Sequence, residues 1–456
     1  LRSRAAMNTI QKIAAAFLCV VAAAAIFVYG IAVGDFKLAP YPLFREAYKE
    51  YEKIQSQMGK MAVKMNVETD QLPIYYKKKR PDRPQDFDRA GESFPGINLV
   101  TRIAKGPEIA VEMIDMEGNV VHSWDVDWFD VWPDADHLPE FLKPKSRPGT
   151  HIHGAVVLEN GALVFNYEHI GLVKLARDSA VEWRLPYRTH HSIHRHDDGM
   201  LWVSGQKLST EPDPLFPGRK APFDKYTILE IDPDKGQILN EWMVADILHD
   251  NGYANLLHLV PTKTRGLSQV ADDRLHLNDV EPFPEGMAEG FFTKGDVLVS
   301  LRNISTVFVF NKDTGKIKYI TTGVFSQQHD PDFIDGNRFS VFDNNTRKPK
   351  AGVLLSSRIV IMTAPGSDIE VVYEGTRENK FYTPIMGKHQ WLPNGNILIT
   401  ESVFGRAFEV NAGGQIVWQY VNDISEELVA LVEEVSRYPL AHGGFQAPRG
   451  SAAHAQ

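Results

Sequence analysis

The chain has 456 residues, of which 43% are hydrophobic and 23% are charged, the balance of an ordinary globular protein with a large core. Its formal net charge of -9 at pH 7, which no long basic stretch offsets, argues against a nucleic-acid partner. The only cysteine, Cys19, excludes a disulfide within the chain and any zinc site built from several thiolates.

An uncharged apolar run covers residues 13–33, close to the about 20 residues that cross a bilayer as a helix. Arg2, Arg4 and Lys12 precede the run and Asp35 follows it, so the positive-inside rule places residues 1–12 in the cytoplasm. We predict a single transmembrane anchor in the inner membrane, with residues 13–33 in the lipid bilayer and the main domain facing the periplasm or the cell exterior. A cleaved signal peptide is the alternative, because residues 22–25 are all alanine.

Residues 34–95 show no repeat and are predicted to form a helical stalk and a linker. Apolar side chains such as Phe44, Tyr48 and Tyr51 recur at three- and four-residue spacings over residues 43–65, which is typical of an amphipathic helix. We expect its apolar face, from Leu43 to Met65, to pack on the main domain, a membrane-protein partner or the membrane surface. Residues 77–95 are rich in charge and proline, which indicates a linker or an extended arm.

Residues 96–422 repeat one phrase: a histidine, a strand-like run, a tight turn and a second strand. Clear copies begin at His153, His191, His329 and His389, and a looser copy begins at His276. The strands and turns group into six units spaced about 40 to 60 residues apart, which is typical of a β-propeller. We therefore predict an all-β domain with six blades, with a β-sandwich as the alternative. Residues 423–456 are predicted as a C-terminal helix, over 425–438, and a tail.

The repeated histidine predicts a site in the channel of this propeller. The first strand of each blade lines the channel, so residues at its mouth converge from different blades. We expect five histidines to ring one funnel: His153, His191, His276, His329 and His389. A buried imidazole needs hydrogen-bond partners, so any single one could be structural, whereas five together favour a functional site.

Three features resemble the bacterial arylsulfate sulfotransferases across residues 97–420. They are the histidine-led repeats, the segment Ser300-Leu-Arg-Asn-Ile-Ser305, and the segment Gln327-Gln-His-Asp330 that leads into Val341-Phe-Asp-Asn-Asn345. The resemblance implies a six-bladed propeller that moves a sulfuryl group from an aryl sulfate to a phenol through a sulfated histidine. It implies no nucleotide donor, and we expect no cofactor and no metal.

The resemblance also assigns roles by position. It implies that His329 becomes sulfated, that His276 and Arg302 contact the sulfate, and that His191 is the remaining active-site histidine. Four further residues are expected beside the substrate: Asn278, Asp330, His153 and His389.

These residue types suit the chemistry on physical grounds. A neutral imidazole is a competent nucleophile near neutral pH, and it gives a covalent intermediate. Arg302 and a protonated His276 can stabilise charge on the transferred oxygens, while His191 can exchange a proton with the phenol. Arg302 has a second interpretation, as an ion-pair partner of Asp279 or Asp330.

The chain departs from the family pattern, and two other functions stay open. Characterised members carry an N-terminal β-rich domain and a disulfide, whereas a predicted anchor and stalk stand here, and the interval from Arg302 to His329 is short. One alternative is a non-catalytic propeller that serves as a scaffold or subunit of a membrane complex and docks through residues 43–65. The other is a metal-dependent hydrolase or lyase with His191, His276, His329 and Asp330 as ligands.

Overall fold

The computed structural model describes residues 75–445, except 81–86, 90, 107, 141, 146, 148, 217, 218, 220, 260–272 and 347–353, together with isolated positions between 17 and 41. The chain divides into two compact units, residues 1–74 and 75–456. The described positions of the first unit are helical. Within the described part of the chain, no helix combines the length and apolar character that a membrane span requires. Most of the predicted anchor and the amphipathic helix over 43–65 lie outside the described residues, so both stay predictions.

The second unit consists almost entirely of β-strands. In chain order the strands are β1 (Tyr76–Lys78), β2 (Phe87–Asp88), β3 (Ile97–Ile103), β4 (Ile109–Ile114), β5 (Val120–Trp124), β6 (Ile152–Val157), β7 (Leu163–Tyr167), β8 (Gly171–Leu175), β9 (Val181–Leu185), β10 (Thr189–Arg195), β11 (Leu201–Ser209), β12 (Phe223–Asp232), β13 (Gln237–Met243), β14 (Leu277–Pro282), β15 (Asp296–Leu301), β16 (Thr306–Asn311), β17 (Ile317–Thr322), β18 (His329–Asp335), β19 (Arg338–Asp343), β20 (Arg358–Thr363), β21 (Ile369–Glu374), β22 (Lys388–Trp391), β23 (Ile397–Glu401), β24 (Arg406–Val410), β25 (Ile416–Val421), β26 (Leu428–Ala430) and β27 (Val432–Tyr438). Two short α-helices are α1 (Trp128–Val131) and α2 (Val244–Asp250), and 3-10 turns lie at Ala254–His258, Arg302–Ile304, Ser402–Phe404 and His442–Gly444.

All of these strands except β1 and β26, which pair with each other, belong to six antiparallel sheets that close into a ring. Blade 1 is β27-β3-β4-β5, and blades 2 to 5 are the consecutive sets β6–β9, β10–β13, β14–β17 and β18–β21. Blade 6 is β22–β25, with β2 added beside β25. Each inner strand contacts the inner strand of the next blade, and β27 closes the circle between β22 and β6. The prediction of a six-bladed propeller is confirmed.

The C-terminal segment is a strand pair rather than the predicted helix. β26 pairs with β1, and β27 pairs with β3, where Val435 lies opposite Val100. The prediction of a helix over 425–438 is wrong because blade 1 lacks an inner strand until β27 returns to it, and pairing across the chain overrides local periodicity. The ring therefore extends beyond residue 422. The described parts of residues 77–95 are an extended arm, in which β2 pairs with β25.

Aromatic side chains between neighbouring blades fix the spacing of the inner strands. Phe283 follows β14, and its ring centre lies 5.1 Å from that of Phe333 in β18. Phe292 lies 5.3 Å from the same ring, and it is fully buried. Burial of each such side chain stabilises the fold by about 1.5–3 kcal/mol. This packing holds the blades that carry His276 and His329 against each other.

Candidate active site

Four inner strands share an irregularity at the point where their histidines stand. The register between the first two strands of a blade shifts between Ile152 and Ala155, His190 and Ile193, Leu277 and Asp279, and His329 and Asp332. A residue with positive φ stands at or beside each shift: Gly154 (131°), His191 (56°), His276 (55°) and Asp330 (50°). A β-bulge re-aims the side chains beside it, so these four blades turn their histidines toward one another.

His191 lies at the centre of the resulting cluster. Its ring centre is 4.5 Å from that of His153, 4.8 Å from that of His276 and 6.4 Å from that of His329. The Nε2 atoms of His191 and His276 are 3.2 Å apart. The structure thus brings together four of the five predicted imidazoles.

His389 does not join this cluster. Its Nδ1 lies 3.0 Å from Asp330 Oδ2, and its Nε2 lies 2.7 Å from Ser340 Oγ. The expectation that all five imidazoles ring one funnel is wrong for this residue. The pairing of β22 with β23 is unbroken, with His389 opposite Ile399, so no bulge turns the ring toward the others.

His329 is buried at the start of β18 and is held in its neutral form. Burial lowers the pKa of its imidazole well below the usual value, and the charge of Arg302 lowers it further. Its Nδ1 lies 2.7 Å from Asn344 Oδ1, a hydrogen bond that opposes the shift only in part. A neutral ring keeps one nitrogen lone pair for nucleophilic attack.

His276 is oriented by a carboxylate. Its Nδ1 lies 2.5 Å from Asp273 Oδ2, and the hydroxyl of Tyr226 donates to the other oxygen of the same carboxylate. Burial opposes ionisation of Asp273, but the charge and hydrogen bond of His276 outweigh it, so the pKa of Asp273 is lowered. The ionised carboxylate accepts a hydrogen bond from Nδ1, so Nε2 is directed at His191.

Arg302 follows β15 and lies directly beside His276, whose carbonyl oxygen accepts its backbone N–H at 2.9 Å. Its side chain is buried, and Nη1 donates to Asn303 Oδ1 at 2.8 Å. Burial lowers the pKa of the guanidinium to about 10, which leaves it charged at neutral pH. Among the described residues, no carboxylate lies within ion-pair distance of it, so the interpretation as a partner of Asp279 or Asp330 is wrong. A buried cation without a carboxylate partner suits an anionic ligand.

Glu168 supplies negative charge on the other side of the cluster. Its carboxylate lies 3.4 Å from His153 Nδ1, 3.2 Å from His169 Nε2 and 3.6 Å from His191 Nδ1. Burial opposes ionisation, but the surrounding histidines lower the pKa of Glu168 well below its usual value. Burial also lowers the pKa of His191 well below its usual value, so that imidazole is neutral.

A narrow cavity adjoins His329, with room for about one water molecule. Three of the four predicted substrate-side residues, His153, Asn278 and Asp330, line it together with Ser192, His329, Gly387, Lys388, Glu433 and Glu434. The amide oxygen of Asn278 and one carboxylate oxygen of Glu433 are buried without a hydrogen bond. The cavity has too little space for an aromatic ring, so only a small group can enter it as it stands.

Several carboxyl groups stand further along the inner strands β14 and β18. Burial, together with Asp330, raises the pKa of Asp279 to about 8. Burial also raises the pKa values of Glu281 and Asp332 well above their usual range. The cation among them is Lys388, whose Nζ lies 2.9 Å from Glu434 and 4.0 Å from Asp330.

Two groups of described residues offer converging ligand atoms, all within 4.8 Å of one another, that could hold a metal ion. They are His153, Glu168 and His191, and Asp330, Asp332 and His389. Neither group is the predicted set of His191, His276, His329 and Asp330. Of the predicted set, His191 and Asp330 belong to different groups, and His276 and His329 belong to neither.

Several site residues were not predicted from the sequence. Asp273 and Lys388 are charged residues close in sequence to a histidine of the repeat, which was the available signal, whereas Glu168 stands next to His169, outside the repeated phrase. Asn344 belongs to the segment over 341–345, which resembles the arylsulfate sulfotransferases, but the resemblance implies no role for this residue. Glu433 lies in β27, where the predicted helix concealed its place in the channel.

A family model described as arylsulfotransferase (ASST) matches residues 155–423, and no curated protein matches the chain. Among solved structures, a protein of unknown function from Bacteroides caccae is 14% identical, with a TM-score of 0.46 and coverage of 75% of this chain and 98% of that one. A virginiamycin B lyase from Staphylococcus aureus is 10% identical, with a TM-score of 0.35 and coverage of 77% and 89%. These structural similarities are too weak to carry an argument about function. The family match covers more than half of the chain, and the chain therefore belongs to the arylsulfotransferase (ASST) family.

Proposed function

We propose that the protein transfers a sulfuryl group from an aryl sulfate to a phenol, with His329 as the nucleophile. Family membership supports this reaction class and its small-molecule substrates. The observation that carries the assignment to His329 is a buried, neutral imidazole beside a buried guanidinium that has no described carboxylate partner. A nucleophile and a fixed cation are the two groups that attack on an anionic sulfate requires.

In the first half-reaction, Nε2 of His329 forms a bond to sulfur, and the bond between sulfur and the aryl oxygen breaks. The electron pair leaves with the phenolate, which is released as the anion and takes its proton from water. The sulfated ring keeps its proton on Nδ1 and carries a positive charge that balances the negative sulfuryl group. Arg302 and His276 stabilise the charge on the sulfuryl oxygens, much as cations do in phosphoryl transfer.

In the second half-reaction, the acceptor phenol gives up its proton, and its oxygen attacks the sulfur. The bond between sulfur and Nε2 breaks, and His329 returns to its neutral form. We assign this deprotonation to His191, because its neutral ring can accept the proton and lies 3.2 Å from His276 Nε2 and 3.6 Å from Glu168. Proton exchange through this chain connects the phenol with two ionised carboxylates, Glu168 and Asp273.

The test is incubation of the full chain with 4-nitrophenyl sulfate and phenol, with nitrophenolate release followed by absorbance. We expect release that depends on phenol, and its loss to background in His329→Ala because the nucleophile is gone. The matched control is His249→Ala on α2, where the side chain is 53% exposed. Activity that survives His329→Ala, or a wild type that releases no nitrophenolate, would contradict the proposal.

We also propose that residues 13–33 anchor the chain in the inner membrane, with the propeller on the periplasmic side. The length of the apolar run and the basic residues before it support this orientation. Extraction of membranes at alkaline pH should leave the protein with the lipid, and protease added outside spheroplasts should reach the propeller. Release by alkali would contradict the anchor.

A further inference from the structure

The segment over 341–345 places one amide directly behind the proposed nucleophile. Asn344 follows β19, is fully buried, and accepts at its Oδ1 from His329 Nδ1 over 2.7 Å. Its Nδ2 donates to the carbonyl oxygen of Thr383 at 2.9 Å and to that of Met386 at 2.7 Å. All hydrogen-bonding groups of this side chain are therefore committed to named partners.

These contacts determine which way the amide faces. Carbonyl oxygens accept hydrogen bonds only, so the group that faces Thr383 and Met386 must be the NH₂ group. The oxygen is then left for His329, and an oxygen can only accept. The proton of the neutral imidazole must therefore reside on Nδ1, and the lone pair must reside on Nε2.

We propose that Asn344 is a positioning residue that holds the proton of His329 on Nδ1 and so presents the lone pair of Nε2 to the sulfuryl group. Its catalytic meaning rests on the proposed function, whereas the tautomer follows from the hydrogen bonds alone. No described residue bonds to Nε2, and His329 lines the cavity in the channel.

An amide performs this task differently from the carboxylates elsewhere in the site. Asp273 accepts from His276, while Glu168 lies beside His153 and raises the pKa of that imidazole against the effect of burial. A protonated ring has no lone pair and cannot attack. The neutral oxygen of Asn344 fixes the tautomer of His329 without adding a charge that would hold a second proton.

The amide is itself held by both blades that flank it. Ser357 Oγ lies 3.3 Å from the carbonyl oxygen of Asn344, and it accepts the backbone N–H of Thr383 at 3.0 Å. Thr383 and Met386 belong to the connection between β21 and β22, so Asn344 ties His329 in blade 5 to the entry of blade 6.

The test measures whether the imidazole of His329 is neutral and therefore has a free lone pair. Diethylpyrocarbonate acylates only neutral imidazole nitrogen, so labelling of the peptide that contains His329, mapped by mass spectrometry across pH, reports its protonation apart from any sulfotransfer. Wild type should label down to a pH well below the usual histidine midpoint of about 6.5. Asn344→Asp should move the midpoint upward by about 1 to 3 pH units, because a carboxylate stabilises the imidazolium.

Two further variants complete the test. Asn345→Asp makes the same change at the adjacent position, where the amide donates to Ser356 and does not contact His329, and it should leave the midpoint unchanged. Asn344→Ala should lower kcat by about 10- to 100-fold with KM little changed, since it removes the partner that orients the ring.

The outcomes separate the two proposals. A shift in Asn344→Asp together with a wild type that transfers no sulfuryl group would leave the tautomer intact and overturn the proposed function. Wild-type labelling that begins only near the usual midpoint, or a midpoint that is the same in wild type, Asn344→Asp and Asn345→Asp, would overturn the role of Asn344. If Asn344→Asp does not fold, the pH profile of wild-type labelling and the kcat of Asn344→Ala still test the role of Asn344.

Discussion

The histidines of the repeat differ in chemistry because their hydrogen-bond partners differ. The Nδ1 atom of His329 bonds to a neutral amide, that of Asn344, whereas the Nδ1 atom of His276 bonds to the carboxylate of Asp273. His389 has both ring nitrogens committed to protein groups, Asp330 and Ser340. One repeated residue type thus stands in three different environments: beside a neutral amide, beside a carboxylate, and between two protein groups that occupy both ring nitrogens.

Arg302 provides the sharpest test of the proposed anion site. Arg302→Lys keeps a positive charge but removes the planar fork that can hold two sulfuryl oxygens at once. We expect kcat/KM for 4-nitrophenyl sulfate to fall by about 10²- to 10³-fold, the usual effect of losing one donor that stabilises transition-state charge.

The matched control is Arg338→Lys, a partly exposed arginine whose Nε lies 2.7 Å from Asp335 on the same blade. It should retain wild-type activity. Equal activity of both variants would show that the guanidinium of Arg302 does not contact the transferred group.

At this scale the sequence predicted residue types better than it predicted their pairings. His191, His276 and Arg302 were identified and lie together, because a repeat position and a family motif are visible in one dimension. The partner groups were not identified. Asp273 lies close to His276 in sequence, but Glu433 reaches the channel only through the pairing of β27 with β3.

The β-bulges are the elements that convert a propeller into a site. They occur in the inner strands of blades 1 to 5 and are missing from the pairing of β22 with β23, which explains why His389 alone turns away. A bulge adds one residue to a strand and reverses which side chains face the channel beyond it. No residue pattern predicted this difference, since the histidine in blade 6 is followed by the same strand and turn.

Gly154 makes one of these bulges possible, and its replacement tests their importance. Its φ is +131°, and a Cβ atom would lie 2.0 Å from the carbonyl oxygen of His191. Gly154→Ala should therefore destabilise the fold by more than the about 1–3 kcal/mol that a strained backbone conformation alone costs, and should lower sulfotransfer by displacing His191.

Gly199→Ala is the control, because Gly199 also has a positive φ of +88° but a Cβ there meets no atom within 4 Å. The difference between the two midpoints of denaturant unfolding isolates the contact with His191. Equal midpoints and equal activities would contradict the account of the bulge.

The whole ring depends on its closure by the C-terminal strand. Arg437 in β27 donates through Nε to Asn98 Oδ1 at 2.5 Å and through Nη1 to Glu409 Oε2 at 3.0 Å. It also lies 4.7 Å from the ring centre of Trp418, so it joins blade 1 to blade 6. Closure thus combines strand pairing with a fully buried ion pair.

Arg437→Met should destabilise the protein by about 3–5 kcal/mol, since it leaves Glu409 buried without its partner. Arg338→Met removes an ion pair that is partly exposed and should cost about 0–1 kcal/mol. The free energies of unfolding of the two variants, measured in denaturant, show how much the buried ion pair and the partly exposed ion pair each contribute to stability. A cost for Arg437→Met no larger than that of the control would show that the ion pair does not hold the ring closed.

The number of blades could be predicted from the sequence because each blade repeats its own turns and strands. The closure of the ring could not be predicted from the sequence. The strand that completes blade 1, β27, is separated from β3 by the other five blades, and its apolar residues have a helix-like spacing. The arrangement of the histidines was predicted in four cases, and the distances among them depend on bulges that local patterns do not reveal.

The most direct test of sulfuryl transfer through His329 is mass spectrometry of the protein quenched at alkaline pH after reaction with 4-nitrophenyl sulfate in the absence of phenol. We predict that the peptide containing His329 gains the mass of one SO₃ group, and that phenol added before the quench removes it. Sulfation found on another residue, or turnover without any sulfated peptide, would contradict the proposed mechanism.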